Sequence, residues 1–178
     1  MRLEIVDASQ LSDEEAQALR ALDAVVYPPK PDAQEAAVEQ RWAHPQWHIL
    51  IRDGDQQLVS HVGVLTRICL CDGDDILIGG VGGVMTQPSE RRKGYAGAGV
   101  RRATEFLQNE MRVDLSLLFC GPRMLSYYRR FGFSNFAGDT FALRDGKKIL
   151  FPRSEIMVRP AKKALPQCAA LDLCGLPW

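Results

Sequence analysis

Residues 47–86 alternate between apolar and polar side chains with a period of two. The alternation forms three runs, WHILIRDG, QLVSHVGVLTRICLC and DDILIGGVGGVMT, with the turn-forming segments DGDQ and CDGDD between them. A period of two is typical of strands, and Asp and Gly tolerate the left-handed backbone of tight hairpin turns. The pattern predicts an antiparallel meander of three strands, and the rest of the chain has to pack around this sheet.

A helical pattern follows at residues 95–111, and after it comes a continuous apolar run, RVDLSLLFC. Because a helix separates this run from the last strand of the meander, the two strands are expected to lie parallel with a right-handed crossover. The sequence therefore predicts an α+β fold. Its sheet is mixed and mostly antiparallel, with a central parallel strand pair flanked by helices.

Shorter elements are predicted on both sides of this unit. RLEIVDA forms a first strand, and Ser12 with Glu15 forms a capping box that starts a helix running to about Val26. A second helix is expected to start at Asp32. PRMLSYYRRFGF predicts a short helix, and residues 134–160 predict a hairpin that turns at Asp145 to Lys148.

Size and charge narrow the classes of function. A chain of 178 residues fits one domain, 1–178, and the apolar tail 160–178 is expected to pack back on it. The 22 basic and 22 acidic residues cancel, which argues against nucleic acid or a membrane as a partner. No segment resembles a signal peptide or a membrane span, so a cytoplasmic protein is expected. The five cysteines contain no Cys-x-x-Cys pair and predict no metal site.

The segment VMTQPSERRKGYAGAGV joins the meander to the helix at 95–111. A helix N-terminus leaves about four backbone N–H groups without intrahelical partners and carries roughly half a positive charge, so it attracts anions. Gly94 leaves room for a ligand beside the backbone, and Ala96 and Gly97 keep the first turn bare. The cationic side chains of Arg91, Arg92 and Lys93 surround this turn, and together these features indicate pyrophosphate binding.

Other phosphate-binding and catalytic motifs are absent from the sequence. There is no P-loop, no dinucleotide-binding Gly-x-Gly-x-x-Gly after a strand, and no Gly-x-Ser-x-Gly elbow. In contrast, VMTQPSERRKGYA resembles the acyl-coenzyme A signature of the GNAT N-acetyltransferase superfamily. The core of that signature is Arg/Gln-x-x-Gly-x-Gly/Ala, which is matched here by residues 91–96. The resemblance covers roughly residues 47–143.

The resemblance implies a GNAT fold with acetyl-coenzyme A (acetyl-CoA) as cosubstrate. The backbone N–H groups of about Arg92 to Gly97 would hold the pyrophosphate. The central parallel strands would splay apart, and pantetheine would enter between them. The residues implied to contact the cosubstrate are Val84, Met85, Thr86, Arg91, Arg92, Lys93, Gly94, Tyr95, Ala96 and Gly97.

Catalytic roles also follow from the resemblance. Tyr128 matches the tyrosine that acts as general acid toward the leaving thiolate in many members, and Tyr127 is the alternative. The oxyanion donor would be a backbone N–H at about Val84 or Met85. No carboxylate occupies the strand position that carries a glutamate base in many relatives, where Gly82 or Gly83 stands instead.

The nearest subfamily resemblance is to aminoglycoside 2'-N-acetyltransferases, in the order of elements, the RRFGF helix end and a tail that finishes in tryptophan. In that subfamily acidic groups and a terminal carboxylate bind a polycationic sugar. Glu39 and Trp178 could correspond to these groups and supply the base or hold the amine, and Asp139 is a further carboxylate to consider. Gly82 and Leu176, however, stand where acids are expected.

The sequence thus predicts an acetyl-CoA-dependent N-acetyltransferase that acts on a small-molecule primary amine by direct attack on the thioester. Two alternatives remain open: an acyl-CoA binding or sensing domain without turnover, and a peptide or protein N-acetyltransferase. The identity of the amine, the acyl chain length and the oligomeric state are not defined by the sequence, and a homodimer is left open.

Overall fold

The computed structural model describes residues 1–28, 41–151, 155–161 and 168–178. Within these ranges the helices are α1 (Asp13–Val26), α2 (Tyr95–Asn109) and α3 (Leu125–Arg129). None of them combines the length and the apolar character that crossing a lipid bilayer requires. The strands in the same ranges are β1 (Arg2–Asp7), β2 (Trp47–Arg52), β3 (Leu58–Cys71), β4 (Asp74–Thr86), β5 (Leu115–Cys120), β6 (Ser134–Asn135), β7 (Asp139–Arg144), β8 (Lys147–Leu150), β9 (Glu155–Pro160) and β10 (Ala170–Asp172).

All of these strands belong to one mixed sheet. Its main path runs β6-β9-β5-β4-β3-β10-β7-β8, and β2 pairs with the first half of β3 while carrying β1 on its other edge. The pairs β4–β5 and β7–β10 are parallel and the other pairs are antiparallel. The predicted mixed, mostly antiparallel sheet with a central parallel pair is therefore confirmed.

The predicted meander is formed by β2, β3 and β4. The turn between β3 and β4 consists of Asp72 and Gly73, whose φ angles are 50° and 99°. Positive φ at both central residues is typical of the two-residue turn whose twist matches that of paired strands. The residues CDGDD therefore fix the register of the two longest strands of the sheet.

The helix α2 covers one face of the sheet. A Cβ on Gly79 of β4 would lie 2.5 Å from Leu107, and one on Gly99 of α2 would lie 2.8 Å from Val62. These glycines let helix and strands approach closely. The helix ends at Asn109 rather than at residue 111, because the Met111 N–H bonds to the Phe106 carbonyl and Arg112 adopts a φ of 53°.

The capping box of α1 is confirmed. Ser12 Oγ accepts the Glu15 N–H at 3.2 Å, and the Glu15 carboxylate accepts the Ser12 N–H at 3.1 Å. The predicted helix from Asp32 falls largely outside the described residues. Its expected end at residues 41–43 is not helical, because the Ala43 N–H bonds instead to the Pro177 carbonyl at 2.6 Å.

The predicted hairpin at 134–160 is only partly correct. β7 and β8 form a hairpin, but it turns at Asp145 and Gly146, with φ angles of 50° and 73°. The two ends of the segment do not extend this hairpin. β9 instead pairs with β5 and with β6 at the opposite edge of the sheet, where its apolar residues Ile156, Met157 and Val158 are buried.

The described part of the tail, residues 168–178, adds β10 to the sheet and then packs on the second face of the sheet. Asp72 accepts the backbone N–H groups of Ala169 and Ala170 at 2.9 and 2.8 Å, which anchors the start of β10. The Trp178 side chain is buried, and its Nε1–H donates to the Leu117 carbonyl at 3.3 Å. The tail therefore builds the core on the side opposite α2.

Replacing Gly80 with alanine is expected to destabilise the protein, because the added Cβ overlaps the Trp178 indole. Overpacking of this kind costs about 1–3 kcal/mol, and circular dichroism should show a lower melting temperature. Gly54→Ala is the matched control, since a Cβ there meets no atom within 4 Å. Equal melting temperatures for the two variants would contradict the packing of Trp178 on β4.

Candidate functional site

The central parallel strands separate at one end. β4 pairs with β5 from Ile78↔Leu115 to Val81↔Leu118, but β4 continues to Thr86 and β5 to Cys120. Beyond the last pair the two strands have no ladder between them. A cavity of about 1330 Å³ occupies this gap, and residues from α1, β3, β4, α2, β5 and α3 line it.

A β-bulge in β4 accompanies the separation. His61 pairs with Met85 and Gly63 with Gly82, so two residues of β4, Gly83 and Val84, face a single residue of β3. Gly83 has a φ of 54°, a conformation that glycine adopts without strain. Bulges bend a strand and increase its twist, which explains why β4 turns away from β5 at this point.

Residues of the loop before α2 and of the start of this helix, between 91 and 97, line one half of the cavity, which is named the donor half because the predicted pyrophosphate contacts lie there. Gly94 is the N-cap with a φ of 90°, and the Ala98 N–H is the first that bonds back to it, at 3.0 Å. The N–H groups of residues 95–97 therefore have no partner within the helix. Arg92 also has a positive φ, of 68°. Left-handed residues that alternate with right-handed ones point successive backbone N–H groups to one side of the chain. Such a segment forms a concavity that can bind an anion.

Most of the predicted cosubstrate contacts lie at this cavity. Met85 does not line it, because its side chain is buried and its carbonyl accepts the Ser60 hydroxyl at 2.6 Å. Lys93 does not line it either, and its ammonium is paired with Glu90 at 2.9 Å. Their contacts with a cosubstrate, like those of the others, stay predictions. The predicted residues that do line the cavity are Val84, Thr86, Arg91, Arg92, Gly94, Tyr95, Ala96 and Gly97.

Both candidate tyrosines face the cavity from α3. Their rings meet edge to face at a centroid distance of 5.1 Å, and Tyr128 also packs against Phe133. Burial raises the pKa of Tyr128 far above its ordinary value, and it raises the pKa of Tyr127 as well. The Tyr128 phenol is therefore protonated at neutral pH, but it is a weak acid.

The other half of the cavity, beside Gly82 and Trp178, is named the acceptor half, and it contains Trp178 where a strand carboxylate was expected. A Cβ on Gly82 would lie 3.1 Å from the backbone carbonyl carbon of Trp178, so this backbone group occupies the place of a side chain at position 82. Arg67 holds the tail here by donating to the Leu176 carbonyl at 2.7 Å. Glu39 lies outside the described residues, and Asp139 on β7 is not among the residues that line the cavity.

The structure brings further residues to the cavity that the sequence did not predict. Asp23 and Tyr27 come from the end of α1, and Trp42 from the segment before β2. The pKa of Tyr27 is raised by burial and by Asp23, and lowered to a smaller extent by Arg91, so this end of α1 lies near the loop before α2. No local motif marks these residues, because only the packing of α1 and of the segment before β2 brings them to the gap.

Additional positive charge lies on the donor side. Arg101 reaches the cavity from α2, with its guanidinium 5.8 Å from the Phe131 ring centre, and Arg130 reaches it from the end of α3. Arg101 is exposed and lies one turn after Gly97, on the side of α2 that faces Phe131, so its side chain lines the cavity.

A cluster of potential metal ligands lies elsewhere. The side chains of Cys71, Asp72 and Cys168 come within 4.8 Å of one another. The two Asp72 oxygens already accept backbone N–H groups of the tail, and burial raises the pKa of the Cys168 thiol to about 12. The cluster therefore serves as a structural contact between the end of β3 and the tail.

Comparison with known proteins identifies relatives of this chain. Residues 7–136 match the sequence model of the acetyltransferase (GNAT) domain family. A sequence search of curated proteins found no match.

Solved structures share the fold. The GNAT family N-acetyltransferase YhbS from Escherichia coli, solved with CoA, superposes with a TM-score of 0.66 and 16% identity, over 98% of this chain and 91% of YhbS. ElaA from Escherichia coli gives 0.62 and 18%, over 89% and 98%. A GNAT family acetyltransferase from Brucella melitensis, solved with acetyl-CoA, gives 0.60 and 16%, over 94% and 93%. The expected GNAT fold is confirmed.

Gly94→Val is expected to weaken CoA binding by roughly tenfold or more, equivalent to about 1.4 kcal/mol of lost phosphate contacts. A β-branched residue is strained at a φ of 90° and adds atoms where a phosphate would approach the N–H groups. Isothermal titration calorimetry measures the effect. The control is Gly73→Val, at a φ of 99° with no atom within 4 Å, which carries similar strain far from the cavity. Equal CoA affinity in both variants would contradict the site.

Proposed function

Because this chain belongs to the GNAT acetyltransferase family, we propose that it transfers the acetyl group of acetyl-CoA to the primary amine of a small molecule. The observation that carries the proposal is the gap between β4 and β5, which joins the N-terminus of α2 to the acceptor half in one cavity. The pyrophosphate would lie on the N–H groups of residues 95–97, and pantetheine would extend along β4 to bring the thioester to the bulge.

The reaction is a direct attack on the thioester. A neutral amine nitrogen forms the new C–N bond, the C–S bond breaks, and the electron pair leaves on the CoA sulfur. The attacking nitrogen loses one proton and the thiolate gains one, so no covalent enzyme intermediate is needed. The protein has to supply an N–H for the developing oxyanion, a group near the sulfur and an acceptor for the amine proton.

Tyr128 is the proposed group near the sulfur. Its raised pKa keeps the phenol protonated at neutral pH, which a hydrogen-bond donor requires. The same shift makes complete proton transfer to a thiolate less favourable. We therefore assign Tyr128 the role of stabilising the leaving sulfur through a hydrogen bond and passing on its proton only as the thiolate develops. Tyr127 is the alternative donor.

The acceptor half favours an amine with an apolar or aromatic neighbour. Its walls include the rings of Trp42, Phe119 and Trp178. In the described part of the chain two carboxylate side chains line the cavity, Asp23 and Glu90, and Glu90 is paired with Lys93. Asp23 is then the group proposed to attract the ammonium form of the substrate. This arrangement supports a small amine more than a polycationic aminoglycoside.

The base remains a proposal with two candidates. If Trp178 is the last residue of the protein, its carboxylate lies beside Gly82, where it can accept the amine proton directly or through water. Glu39 is the second candidate. A binding or sensing domain without turnover is the alternative function, and the absence of a side chain at Gly82 and Gly83 favours it. A protein substrate is less favoured, because the Trp178 ring helps to close the acceptor half.

Release of free CoA thiol tests the function. The protein is incubated with acetyl-CoA and a panel that contains aromatic amines, aliphatic amines, an aminoglycoside and a lysine peptide. Amine-dependent thiol release with formation of the N-acetyl product, identified by mass spectrometry, supports an acetyltransferase. Tight acetyl-CoA binding without release for any amine would support the sensing alternative, and preference for the peptide would overturn the small-molecule assignment.

Tyr128→Phe is expected to lower kcat by about ten- to a thousandfold, within the range that general acids contribute, with little change in CoA affinity. The ring keeps its packing against Phe133, so the fold should be retained. Tyr127→Phe is the matched control on the neighbouring residue. A larger loss in Tyr127→Phe would assign the role of donor to the CoA sulfur to Tyr127. Wild-type turnover in both variants would show that neither tyrosine of α3 has this role.

If Trp178 is the last residue of the protein, adding one alanine after it is expected to raise KM for the amine or lower kcat, because the added residue shifts the carboxylate away from Gly82. The indole can stay in place, so the melting temperature and CoA affinity should change little. Trp178→Phe is the complementary variant, which retains an aromatic ring and the position of the carboxylate. Unchanged amine kinetics in the extended protein would direct the search for the base to Glu39, the second candidate.

A further inference from the structure

A buried histidine holds the bulge of β4. His61 on β3 is only 4% exposed, and its Nδ1 lies 2.8 Å from the Gly83 carbonyl oxygen. Its Nε2 lies 3.0 Å from Nδ1 of His48 on β2. Both ring nitrogens of His61 therefore have partners, and one of these partners belongs to the bulge beside the gap.

The partners define which nitrogen carries the proton. A carbonyl oxygen can only accept, so His61 Nδ1 carries a hydrogen and donates it to Gly83. In a neutral ring Nε2 is then an acceptor, and it receives the Nδ1–H of His48. Burial lowers the pKa of His61 to about 4, so the ring is neutral at physiological pH and suits this arrangement.

The hydrogen bond to Gly83 also orients the neighbouring N–H. The Gly83 C=O and the Val84 N–H belong to one peptide group, and in a trans peptide these two groups point in opposite directions. With its oxygen held toward the His61 ring, this peptide directs the Val84 N–H away from that ring. On that side the ladder with β5 has ended at Val81, and Val84 lines the cavity.

Without the hydrogen bond from His61, the Gly83–Val84 peptide of the bulge could rotate. Gly83 is exposed and has a positive φ, and glycine can adopt alternative conformations at little cost. A peptide that rotated at this position would turn the Val84 N–H out of the gap. The bond from a buried, neutral imidazole removes that freedom before any ligand binds.

We propose that His61 is a positioning residue that clamps the Gly83–Val84 peptide, so that the Val84 N–H is preset as the donor to the thioester oxygen. This inference rests on the proposed function. It also distinguishes between the two oxyanion donors left open by the sequence, and selects Val84 over Met85. His61 itself does not contact the substrate in this role, and His48 fixes its tautomer.

The test compares His61→Asn with His61→Leu. The asparagine side-chain NH₂ can take the place of Nδ1–H and donate to Gly83, whereas leucine fills similar space without a donor. We expect kcat to fall by about ten- to a hundredfold in H61L, somewhat less than the loss of an entire oxyanion donor. KM for acetyl-CoA should stay within about twofold, and H61N should retain most of the wild-type kcat.

Ser60→Ala is the matched control. Ser60 is also buried on β3 and donates to another carbonyl of β4, that of Met85, which lies two residues after Gly83, at 2.6 Å. Its loss removes a similar hydrogen bond between the same two strands without touching the Gly83–Val84 peptide. We expect S60A to lose stability but to keep kcat. A loss of kcat in S60A equal to that in H61L would overturn the clamp and indicate a general effect of weakened packing.

A second measurement is independent of turnover. In NMR spectra of the protein labelled with ¹⁵N, the Val84 amide proton should shift downfield with acetyl-CoA relative to CoA, in wild type and H61N but not in H61L. Equal shifts with both ligands in the wild type would overturn the clamp alone. A selective shift without amine-dependent thiol release would overturn only the proposed function, and failure to bind acetyl-CoA would overturn both.

Discussion

The end of the ladder between β4 and β5 is the constraint on which the site depends. Up to Val81 the two strands share backbone hydrogen bonds, and beyond it their polar groups face a gap. In the interior of a protein such groups need partners. A gap of this kind is tolerated where a ligand or water can enter. Here the bulge at Gly83 turns β4 away from β5, and the N-terminus of α2, which follows β4 after the loop 87–94, also lines the gap.

The two faces of β4 pack against different elements, and glycines on each face make this packing possible. Gly79 admits Leu107 of α2 on one face, and Gly80 admits the Trp178 indole on the other. Gly82 leaves space for the backbone of the tail, and Gly83 allows the bulge. A strand with side chains at these positions could pair with β3 equally well, but it could neither bring the helix close nor accommodate the tail beside the gap. The glycine-rich sequence of β4 is therefore a consequence of packing as much as of ligand access.

The sequence predicted those features that depend on neighbouring residues. The capping box at Ser12, the turn at Asp72 and Gly73, and the start of α2 at Gly94 are local, and so their residues could be read directly. β10 was not predicted because a strand of three residues has no period to detect. Asp23 and His61 were missed for a different reason. Asp23 reaches the cavity through the packing of α1, and His61, which also lines the cavity, gains the Gly83 carbonyl as a partner through a bulge on another strand.

The contact between Trp178 and β4 links two parts of the chain that lie nearly a hundred residues apart in sequence. An indole can occupy this place only while position 80 has no side chain, and a glycine there leaves a void unless a large ring fills it. The two positions are expected to change together among related sequences. A chimera that receives the tail of a relative would therefore need that relative's β4 as well, so the acceptor half of the cavity is exchanged as a unit rather than residue by residue.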